Sequence, residues 1–154
     1  MGPGGESRGD LRVVTCAVLG LAPRAEAACT VSTSGINFGT YSVYSPGAAT
    51  STATITYNCG NHDKNIEIDL SAGSSGSLTT RTLTQGTDAL NYNLYTDPAL
   101  TLIWGDGTGG TDNYTKFNPA NSVDVNVSIY GRIPPQQDVR VGSYTDSIVA
   151  TVNF

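Results

Sequence analysis

Few residues in this sequence combine the type and the spacing that chemistry requires. His62 is the single histidine, and it stands in the polar stretch Gly60-Asn61-His62-Asp63-Lys64. A catalytic triad needs a nucleophile held beside its base, and nothing in the sequence pairs a particular serine with His62. It reads as a turn residue. Asp106 and Asp112 lie in the glycine-rich run 105–113 and could offer oxygen ligands to calcium. Their spacing matches no EF-hand, and acidic residues suit loops in any case. Glu67 and Asp69 are two apart and share one face of a strand, as a glycosidase carboxylate pair could. Their alternation with Ile66, Ile68 and Leu70 puts them on the solvent side. Asn113-Tyr114-Thr115 and Asn126-Val127-Ser128 fit the glycosylation sequon, a three-residue pattern short enough to recur by chance. No catalytic residue, no metal site and no cofactor is expected.

Two groups remain. Trp104 and the tyrosines could form a sugar-binding platform, although aromatic rings also serve as ordinary β-sandwich core. With Asp106, Asp112 and Asn113, Trp104 marks a candidate surface-contact loop. The cysteines are more telling. Cys16 falls in the front part of the chain, where Arg8 and Arg12 precede the short apolar run 13–22 and the small-residue site Ala25-Glu26-Ala27. Positive, apolar and A-x-A regions in that order describe a secretory signal peptide over residues 1–27. The apolar run is too short to span a bilayer, which takes roughly 20 residues. Removing the leader leaves Cys29 and Cys59, and two cysteines in an exported chain read as one disulfide. It also leaves five basic and ten acidic residues, a net charge of −5 as for the whole chain. An acidic domain with scattered cations offers no basic stripe for nucleic acid.

The elements that must position these residues are strands. The chain has 18 Gly, 8 Tyr and 14% charged residues, a composition poor for helices. Period-two alternation marks strands over 52–59, 66–70, 90–95 and 123–129, the last with Val123, Val125, Val127 and Ile129 inward. Shorter segments are expected over 29–31, 36–44, 78–83 and 100–104. The closing stretch 143–154 puts Tyr144, Ile148, Ala150, Val152 and Phe154 on one face, with Val149 as an apolar exception on the other. About eight short strands with turn signals between them fit an all-β, immunoglobulin-like antiparallel sandwich spanning 28–154, with a closed barrel as the alternative.

The ordered set Ala28-Cys29-Thr30-Val31, Ile36-Asn37-Phe38-Gly39, Ile55-Thr56-Tyr57-Asn58-Cys59, Leu90-Asn91-Tyr92-Asn93-Leu94-Tyr95 and Val152-Asn153-Phe154 resembles the spore coat protein U domain. So do Ile129-Tyr130-Gly131-Arg132-Ile133-Pro134 and Val141-Gly142-Ser143-Tyr144-Thr145-Asp146. That family includes the subunits of archaic chaperone–usher pili. The resemblance implies an incomplete sandwich whose missing last strand is lent by a periplasmic chaperone and later supplied by the next subunit, a form of strand addition. The implied partners are a chaperone, an usher and other pilus or coat subunits. The implied destination is the cell surface, reached through the periplasm, with no membrane span after processing. The groove would be lined or flanked by Ile148, Ala150, Val152 and Phe154. If cleavage follows Ala27, only Ala28 precedes Cys29, too little for a donor strand. The chain is therefore expected to accept a strand as a terminal or accessory subunit of a fibre or coat. The alternative is an adhesin-type module contacting a surface or glycan through its loops.

Overall fold

The structure, a computed structural model, describes residues 11–12, 29–60 and 65–154. His62 and nearly all of the expected leader lie outside them. Strand β1 is Leu11–Arg12, β2 Cys29–Thr33, β3 Ala49–Cys59, β4 Asn65–Leu70, β5 Arg81–Gln85 and β6 Asp88–Tyr95. They are followed by β7 Tyr114–Phe117, β8 Val125–Ile133, β9 Asp146–Ser147 and β10 Ala150–Asn153. The two larger sheets have the orders β2-β3-β8-β6-β5 and β10-β4-β7, with every pairing in both antiparallel, and β1 and β9 form a short parallel pair. This is the expected all-β sandwich. No helix among the described residues is long and apolar enough to cross a membrane.

The longest ladder joins β3 to β8, with Ile55 opposite Val127 and Ala53 opposite Ile129. Their β-branched and apolar residues recur at every second position, so one face of each strand is buried. Ile66, Ile68 and Leu70 of β4 meet that face, with Leu90 and Leu94 of β6. Cys29 and Cys59 stand directly opposite each other in the β2–β3 register, Cα atoms 4.1 Å apart, and are disulfide-bonded. In the chain-entropy picture, closing a loop of that length stabilises the fold by about 3–4 kcal/mol.

Three sequence expectations shift. Residues 36–44 form no strand; Ile36, Phe38 and Tyr41 enter the core from an irregular segment. Gly35 and Gly39 there have φ near +69°, a conformation that breaks a ladder. Gly131 of β8 makes room for this segment, since a Cβ at that position would run into Ile36 and Phe38. Residues 100–104 contribute only isolated bridges at Ile103 and Trp104 rather than a strand. Val123 is exposed, and β8 starts at Val125 and carries its inward face on to Ile133.

Candidate functional site

The closing stretch begins as core. Tyr144, Ile148 and Ala150 are buried, as the alternation requires. Asp146 lies on the same inward parity, between two apolar residues, and is also buried. Its carboxylate accepts from the Ser74 backbone N–H (2.8 Å), the Ser74 hydroxyl (2.6 Å) and the Tyr92 hydroxyl (2.6 Å). Burial, and then the hydrogen bond to Asp146, push the Tyr92 hydroxyl far above its usual pKa. Asp146 thus fastens the stretch to β6 and to the 3₁₀ turn Gly73–Ser75.

Arg81 lies nearby and is completely buried. Its guanidinium donates to Asn93 Oδ1 (2.6 Å), the Trp104 carbonyl (2.7 Å), the Leu70 carbonyl (3.3 Å) and the Ser71 carbonyl (2.9 Å). Burial lowers its pKa, opposed by the nearby Tyr92 and Asp146. In the sequence Arg81 is one of the five scattered cations that follow the expected leader, and neither it nor Asp146 is marked out by a motif. The available signal was parity: each is a charged residue on an otherwise apolar face.

From Thr145 onward the stretch changes neighbours. Thr145 exchanges backbone hydrogen bonds with Thr84 of β5 (2.8 and 3.1 Å). Asp146 and Ser147 run parallel to Leu11 and Arg12, within the segment read as a leader. The Ser71 N–H donates to the Val149 carbonyl (2.9 Å), and 150–153 pair with β4. The orientation of the peptide groups along β10 follows from its neighbour. Leu70 N–H donates to the Gly105 carbonyl (2.9 Å), so Leu70 turns its peptide groups away from β10. In an antiparallel ladder the residue opposite does likewise. Ala150, and Val152 two residues on, therefore aim their peptide groups at the outer edge, while Thr151 and Asn153 bond to β4. Among the described strands nothing pairs with that edge.

Of the four expected groove residues, the structure buries Ile148 and Ala150, half-buries Val152 and leaves Phe154 63% exposed. Only Val152 and Phe154 retain apolar surface to cover. The candidate contact loop needs a correction at Trp104. Its side chain is fully buried, its indole N–H donates to the Ile68 carbonyl (2.8 Å), and its ring lies 6.3 Å from that of Tyr114. An indole that fills the sandwich core offers no platform to a sugar. Asp106 is exposed and accepts from the Thr108 N–H (2.9 Å) and hydroxyl (2.6 Å), closing its own turn. Asp112 is half-buried, with Thr96 on its carboxylate (3.1 Å). Asn113 donates to Asp69 (3.0 Å), so the structure joins a loop residue to the outer face of β4. Glu67 and Asp69 are half-buried on that outer face. Among the described residues no three metal-ligating side chains gather.

The family model of the Spore Coat Protein U domain matches residues 15–151. A curated relative, Protein U of Myxococcus xanthus, is 32% identical over 119 residues, which are 76% of this chain and 60% of the relative. The chain thus spans about 60% of that relative's length. Among solved structures, a chain of the CsuC–CsuE chaperone–tip adhesion subunit pre-assembly complex, from the archaic chaperone–usher Csu pili of Acinetobacter baumannii, shares the fold. The TM-score is 0.59 at 18% identity, covering 82% of this chain and 40% of that one.

Proposed function

Because the chain belongs to the Spore Coat Protein U domain family, we propose that it is an exported, non-enzymatic structural subunit of a surface fibre or coat, built in by accepting a partner's strand along β10. The observation that carries this reading is the open edge of β10. Ala150 and Val152 direct their peptide groups outward, and half-buried Val152 and exposed Phe154 follow the fully covered Ile148 and Ala150. An unpaired edge bordered by apolar side chains is a template for another strand and a hazard when bare. Strand addition satisfies the edge through main-chain hydrogen bonds, while alternate side chains set the register. Fully covering each of two large apolar side chains contributes about 1.5–3 kcal/mol.

In this reading a periplasmic chaperone holds the edge during export and a neighbouring subunit occupies it at the surface, with an usher between them. The solved complex of the same fold pairs a chaperone with a pilus subunit, which supports a chaperone as the first occupant. Ile148 and Ala150 form the floor under the added strand, and Val152 and Phe154 make its direct contacts. The role is that of an acceptor, at a terminal or accessory position.

Site-specific photo-crosslinking tests this in cells. A photoreactive residue at Val152 or Phe154 should yield adducts with a chaperone-sized protein or a neighbouring subunit, and one at exposed Tyr44 should not. Exported protein that forms no adduct from either position would overturn the reading.

A further inference from the structure

On the outer face of the five-stranded sheet lies a cleft of about 420 Å³ whose lining includes Thr50, Thr52, Tyr130, Pro98 and Leu100. It is separate from the sheet that carries β10. We propose that this cleft binds a neutral carbohydrate, one or two sugar units of a surface polysaccharide.

The register builds the floor. Thr52 faces Tyr130, and Tyr130 faces Tyr95, so a threonine and two tyrosines form one row across β3, β8 and β6. Thr50 stands in the next row, opposite Arg132. The wall is the turn after β6, and one carboxylate shapes it. Asp97 accepts from the Thr101 N–H (2.9 Å), the Thr101 hydroxyl (2.7 Å) and the Leu102 N–H (2.8 Å). This holds Leu100 at φ +59°. A branched side chain in the left-handed region is strained, and such strain clusters at functional sites and ligand clamps.

The chemistry favours a sugar. The Tyr130 ring is half-buried, and among the described residues its hydroxyl has no partner; nor do those of Thr50 and Thr52. Hydroxyls both donate and accept, which matches a ligand whose own groups are hydroxyls. A tyrosine offers an apolar face with a polar rim, suited to the C–H face of a pyranose, and Pro98 and Leu100 enclose the other side. No charged side chain lines the cleft, so a neutral ligand is favoured. Its volume falls within the range of small-ligand sites, about 300–1,000 Å³.

The test is an NMR titration of the isotope-labelled full chain with maltotriose, cellotriose and triacetylchitotriose, each to about 10 mM, where even a weak site near −3 kcal/mol is visible. At least one probe should shift the amides of 50–52, 100 and 130 while leaving 150–153 in place. Tyr130→Ala should weaken that binding roughly tenfold or more, and Tyr130→Phe, which keeps the ring, should retain most of it. Thr52→Ala, an exposed change, should weaken binding with the spectrum otherwise intact. The proposal is overturned if none of the three probes shifts the cleft, if shifts fall elsewhere, or if folded Tyr130→Ala and Thr52→Ala bind as the parent does.

Discussion

Arg81 is a fully buried cation that bridges several elements of the fold. Its donors reach carbonyls at positions 70, 71 and 104 and the amide of Asn93, so it ties together β4, β6 and the segment leading to β7. Removing one member of such a buried polar set leaves the others unsatisfied, which costs about 3–5 kcal/mol. Arg81→Ala should destabilise the domain by that order in chemical denaturation. Arg81→Lys should recover little, because a point charge cannot reproduce the planar fork. A loss below about 1 kcal/mol would show that the network is dispensable. None of this was readable from composition. Its closest carbonyl partners are tertiary, from residues 10 to 23 positions away, so local spacing encodes little beyond the inward parity that Arg81 shares with Leu83.

At the scale of elements, legibility followed the ladders. β3 and β8 were plain in the sequence because strict alternation over many residues has no helical or loop reading. Strand β7 went unseen, since its residues are mostly exposed and show no apolar alternation; β4 alone selects them as a strand. Segment 36–44 misled in the opposite sense, because Ile36, Phe38 and Tyr41 are buried without being paired. The turn 97–102 is held by a side chain, which makes it sensitive to pH. The Leu102 N–H, then the Thr101 hydroxyl and N–H, hold the Asp97 carboxyl below its ordinary value. A depressed folded pKa means the stabilisation is present above the unfolded value near 3.8 and is lost as pH falls through the lowered one. Titration from neutral to about pH 2 should therefore move the amide resonances of Thr101 and Leu102 together, and Asp97→Asn should abolish that transition. Amides that stay fixed throughout would mean that the carboxylate does not hold the turn.

For the whole molecule, the two sheets are closed unequally. The outer edge of β5 is partly tied by Thr145, and the β2 end is pinned by the Cys29–Cys59 bond, whereas β10 has an open outer edge among the described strands. The candidate site was half legible. Alternation in the final stretch located the strand and its inward side chains, and family resemblance supplied the idea of a missing neighbour. Parity alone could not reveal that Ile148 and Ala150 are already covered while Val152 and Phe154 are not, because that depends on how far the opposite sheet extends. Nor could it distinguish Trp104 as core from Trp104 as surface, since an indole suits both.

Amide hydrogen exchange along β10 tests the acceptor edge most directly, comparing the chain alone with the chain assembled on its partner. Alone, Ala150 and Val152 should exchange fast while Thr151 and Asn153, bonded to β4, are protected; on assembly all four should become protected. If Ala150 and Val152 are already protected in the isolated chain, or remain fast once the partner is bound, no strand is accepted at that edge.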